Sequence, residues 1–71
     1  MTTLTMTSWK NGLQVISLVE AVKQYSTSSL IRAKADVELL LAGEPVTLKF
    51  ESESAKIEFR KRAEELGASF D

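Results

Sequence analysis

The sequence predicts an α+β fold: a two-layer sandwich in the order β-α-α-β-α-β, with three helices on one face of a small three-stranded sheet. Two short segments alternate apolar and polar residues with a period of two. Three longer segments carry apolar stripes at helical spacing, and isolated glycines stand where elements end. The 71 residues form one domain, 1–71, near the lower size at which a single core holds a fold unaided.

The first strand is predicted near residues 3–9, where Thr3, Thr5 and Thr7 alternate with Leu4 and Met6. Asn11-Gly12 breaks it, and Asn11 with Gln14 three residues on has the arrangement of a capping box. A helix is predicted over 12–25, because Val15, Leu18, Val19, Val22 and Tyr25 share one face. Ile16 falls outside that arc, between Glu20 and Lys23, and is expected to be exposed where Val15 and Val22 are buried.

Thr27 or Ser28 is expected to cap a second helix over 28–42, which Gly43 stops and Pro45 keeps from resuming. Its main stripe is Leu30, Ala33, Val37, Leu40 and Leu41. A second stripe of Ile31, Ala35, Leu39 and Ala42 lies on a different face. A helix apolar on two faces buries both or keeps one for a partner. For this stripe the alternatives are the chain's own third helix, self-association and another protein.

Val46, Leu48 and Phe50 alternate with Thr47 and Lys49, predicting a strand over 46–50. Ser52 caps a third helix over 53–66 with the stripe Ala55, Phe59, Ala63 and Leu66. Gly67 ends it, and 68–70 close the sheet. Leu18, Val22, Leu30, Val37, Leu48, Phe50, Phe59 and Leu66 are expected to be buried together.

Composition argues against catalysis. The chain has no histidine and no cysteine, which removes the commonest general base and the usual metal ligands. Its eight serines include no Ser-x-x-Lys spacing, and they read as caps and strand residues. The pairs Glu51/Glu53 and Glu64/Glu65 are too close in sequence to converge on one helix face. No glycine-rich phosphate loop is present. A non-enzymatic chain without cofactor or metal is therefore expected. Nine basic against ten acidic residues disfavour nucleic acid as a partner, and Arg60-Lys61-Arg62 spread around a helix rather than lining a groove. The opening Met1–Thr7 stretch has no basic leader and no apolar run is long enough for a bilayer, so no targeting segment and no membrane are expected. The absence of cysteine favours a reducing, cytoplasmic setting. Trp9, out of phase with Leu4 and Met6, reads as a ring folded over the sheet edge or as a binding anchor.

The order of elements and several residues resemble the C-terminal domain of the bacterial ribosomal stalk protein, over about Leu4 to Asp71. The segment from Ser52 carries a basic pair at Arg60-Lys61, then Glu64-Glu65, then Gly67-Ala68, as the family's third helix does. Ala21-Val22-Lys23 is followed ten residues later by Ala33-Lys34, then Val37-Glu38, at the family's spacing without a gap. The resemblance implies a docking face on the first two helices, used in that family for translational GTPases. Lys23 and Lys34 match basic positions of that face, and Ile16 and Val19 match apolar ones. Val15 stands where the family has lysine, Glu20 reverses a charge, and Thr27-Ser28-Ser29-Leu30 stand where the family has Gly-Leu-Gly-Leu, retaining only the last leucine. The adaptor that delivers N-terminal degron substrates to the Clp protease shares this fold, but its pocket histidine has no counterpart here.

The expectation is a protein-binding module whose surface comprises Ile16, Val19, Lys23 and Lys34, extended by Ile31, Ala35 and Leu39. Its partner would be a translational GTPase or a ribosome-associated factor. The alternative is a homodimer formed through the second stripe of the middle helix, and a nucleic-acid binder ranks last.

Overall fold

The computed structural model describes residues 2–70; Met1 and Asp71, the two ends of the predicted domain, lie outside them. Strand β1 (Thr2–Trp9), helices α1 (Val15–Tyr25) and α2 (Leu30–Leu41), strand β2 (Val46–Phe50), helix α3 (Glu53–Leu66) and strand β3 (Ala68–Phe70) follow in the predicted order. The sheet is antiparallel with order β2-β1-β3, so the first strand in the chain is the middle one. Its inner face carries Leu4 and Met6, both buried, facing the helices. Its outer face carries threonines, and the hydroxyls of Thr5 and Thr47 bond across the β1–β2 pair at 2.9 Å.

Trp9 changes its meaning once the sheet is seen. Met6 pairs with Phe70 and Ser8 with Ser69, so β1 spends one extra residue there as a bulge. The bulge reverses the alternation and puts Trp9 on the inner face, opposite buried Ala68. The ring is out of phase in sequence and in phase in space, though it remains exposed at the end of the strand.

Helices α2 and α3 lie against the strands, and α1 packs along both. Phe59 of α3 is the hub of the core. Its ring lies 5.3 Å from Phe50 and 6.4 Å from both Tyr25 and Phe70, the last two edge-on. Leu18, Val22, Val37, Leu48, Phe50, Phe59 and Leu66 are buried together as the stripes predict.

Leu30 and Val15 are not. Leu30 is 47% exposed and Val15 is 37% exposed, against the expectation that both are core. Each is the first residue of its helix. Periodicity gives the direction in which a side chain points, but in a first turn it does not say whether another element extends far enough to cover it.

Two caps also differ from expectation. Helix α1 starts at Val15 rather than near residue 12, and Gln14, not Asn11, stands at its N-cap without a side-chain bond. Residues 10–14 are instead tied to the end of α3: the Lys10 N–H donates to the Gly67 carbonyl at 2.8 Å and the Gln14 N–H to the Leu66 carbonyl at 3.0 Å. Helix α2 is capped by Ser29, whose Oγ accepts from the Arg32 N–H at 3.3 Å, and not by Thr27 or Ser28. Thr27 is held elsewhere, its N–H donating to the Lys49 carbonyl of β2 at 3.1 Å.

The remaining ends follow the sequence. Ser52 caps α3 by accepting from the Ala55 N–H at 3.2 Å. Gly43 and Gly67 both adopt positive φ at helix C-termini. After α2 the Gly43 N–H bonds the Leu40 carbonyl and the Glu44 N–H the Leu39 carbonyl, the paired bonds of a Schellman turn.

A candidate docking groove between the first two helices

Three of the predicted site residues meet around one concavity. A groove of about 310 Å³ is lined by Val15, Ile16, Val19 and Glu20 of α1 and by Leu30 and Lys34 of α2. Ile16 is 78% exposed at its rim, and Val19 is half-buried and packs on the core. Lys34 stands one turn beyond Leu30, and Glu20 is the single acid of the lining.

The groove exists because α1 and α2 both begin with an apolar residue that the sheet does not reach. Leu30 is first in α2 because Ser29 takes the cap, and Val15 is first in α1 because residues 10–14 are bound to α3. These two residues were expected in the core and instead line the site. The available signal was position: with Thr27, Ser28 or Ser29 as the cap, Leu30 falls in the first turn, and only Ser29 makes it the first residue of the helix.

Lys23 does not line the groove. It lies four residues beyond Val19 in the last turn of α1 and is exposed there. Ile31, Ala35 and Leu39 are also exposed and are not among the lining residues. The exposure of this stripe rules out its burial against α3.

A second hollow, of about 440 Å³, is of a different character. Thr27, Ser28, Ser29, Arg32 and Asp36 line it from the helix side, and Thr47, Leu48 and Lys49 from β2. Asp36 is the one buried charged residue among those described, and the Arg32 guanidinium Nε stands 3.5 Å from its Oδ1. A carboxylate paired with the guanidinium of its own helix is internally compensated. Nothing in the sequence pattern had singled out Asp36.

Among the described residues no group of three or more acidic, histidine or cysteine side chains is placed to hold a metal ion, and no helix is long and apolar enough to cross a membrane. Comparisons with protein-family models, with curated proteins and with solved structures find no match to this chain. The functional reading therefore rests on the groove and on the residues that form it.

Proposed function

We propose that the chain is a non-enzymatic docking module of the stalk C-terminal type, whose α1–α2 groove receives an apolar side chain of a protein partner. One observation carries this reading: Ile16, Val15 and Leu30 expose apolar surface around a concavity that also has a cation on its rim. Isolated apolar residues on a surface are ordinary, whereas several converging on one concave site mark recognition. Lys34 at the rim and Lys23 further along α1 would meet carboxylates of the partner. Glu20 in the lining would favour a partner with a basic residue beside its apolar anchor. A translational GTPase or another ribosome-associated factor is the partner class that the resemblance implies.

The test is a titration of the isotope-labelled domain with a purified translational GTPase, followed by amide chemical shifts. Shift changes are expected around residues 15–20, 30 and 34, and Ile16→Asp should weaken binding about tenfold or more, as for a buried interface anchor. The reading fails if no shifts move, or if they move on the outer face of the sheet.

A further inference from the structure

A second surface, separate from the groove, has a pattern that matches itself. Ile31, Ala35 and Leu39 follow one another at i, i+4 and i+8 and so lie in one row along α2. Ile31 is 82% exposed and Leu39 is 49% exposed, so the described residues leave the row open to solvent. Its order is large, small, large, symmetric about Ala35. We propose that this row is the seam of a weak, two-fold symmetric dimer in which α2 packs antiparallel against α2 of a second copy.

Self-complementarity is the reason for choosing a second copy as the occupant. A two-fold interface requires that residue i meets residue j while j meets i. An axis through Ala35 sets Ile31 over Leu39 of the second copy, and Leu39 over its Ile31, with the two alanines letting the backbones approach. The charges obey the same axis. Lys34 and Glu38, one turn apart, border the flank of the row that faces α1, and the axis brings Lys34 of each copy beside Glu38 of the other. On the opposite flank Arg32 is already engaged by Asp36 at 3.5 Å, which moderates repulsion between the two copies of Arg32. Of the seam residues, only Lys34 also borders the groove.

Size makes the dimer weak. Helix α2 has 12 residues, hence a length of about 18 Å. A seam of that length covers less than the roughly 800 Å² per partner of standard stable interfaces. The dimer should therefore be transient and dissociate on dilution.

Sedimentation equilibrium or light scattering between about 10 µM and 1 mM tests this, beginning from a monomer mass of 7.9 kDa. The wild-type mass should approach twice that value as concentration rises. Ile31→Lys, at the more exposed of the row's two large residues, should keep its helical circular dichroism and remain monomeric throughout. Lys34→Glu or Glu38→Lys alone should raise the dissociation constant about tenfold. Lys34→Glu combined with Glu38→Lys should return it to within about threefold of wild type, because the axis then pairs the exchanged charges. A wild-type chain still monomeric at the highest concentration overturns the proposal, as does an Ile31→Lys variant that keeps the doubled mass. Single charge variants that the combined exchange does not rescue place the seam elsewhere and overturn it too. These outcomes are read without any other protein, so they are independent of whether the groove binds its partner.

Discussion

Gly67 is held to glycine by two constraints. Its φ is +112°, and a Cβ built there would lie 3.0 Å from the Leu13 Cα, a backbone atom that cannot swing away. Gly43 has a similar φ of +91° but open space around it. Gly43→Ala should therefore lose only the left-handed penalty, about 1–2 kcal/mol. Gly67→Ala should lose that and also push residues 10–14 off the end of α3, for a total of about 3 kcal/mol or more. Urea unfolding of both variants checks the ranking, and equal losses would show that the contact with Leu13 relaxes freely. The same method separates two neighbours on α1. Ile16→Ala should change stability by no more than roughly ±0.5 kcal/mol, whereas Val22→Ala should lose about 1–3 kcal/mol through lost burial and a residual cavity. Exposure at Ile16 was legible in the sequence because its direction on the helix is set by spacing alone. Val15 and Leu30 were misread because burial there depends on a neighbour's reach, which no local pattern records.

At the scale of elements, all six were legible, and the third helix and last two strands agree to the residue. The starts of α1 and α2 were not, for one shared reason. A run such as Ser26-Thr27-Ser28-Ser29 offers four acceptable caps, and the choice is made by what the backbone is already bonded to. Thr27 is committed to β2 through its N–H, and the Ser28 N–H donates to Ser26 Oγ at 3.2 Å, which leaves the cap to Ser29. Ser29→Ala and Ser52→Ala should each cost about 1 kcal/mol, while Thr27→Ala should stay within about 0.5 kcal/mol because its bond to Lys49 uses the backbone. Thermal unfolding of the three variants distinguishes them; a large loss at Thr27 alone would return the cap to that residue. Trp9 was illegible for a different reason. A bulge inserts a residue into a period-two pattern, and the shift becomes visible only against the partner strand.

At the scale of the molecule, the sheet is closed by the chain's last three described residues. Phe70 of β3 is only half-buried, yet it meets Phe59 edge-on at 6.4 Å, and the Arg60 guanidinium carbon sits 5.5 Å from the centre of its ring. Phe70→Ala should lower stability by about 1–3 kcal/mol, most of it from the contact with the core hub. A loss much smaller than this in urea unfolding would mean that β3 contributes pairing and little packing. Because β1 is central, its pairing with β2 and β3 depends on segments separated from it by some forty to sixty residues of chain. That arrangement also determines how the domain answers a mechanical load. The described ends of the chain, Thr2 and Phe70, belong to adjacent antiparallel strands, with Phe70 opposite Met6. Tension applied through these ends draws β3 away from Phe70 first, then Ser69, then Ala68, opening the ladder one rung at a time rather than shearing all rungs together. A domain tethered by both ends would yield at low force, like a zip pulled from its open end, with the β1–β2 pairing still intact when β3 has peeled away.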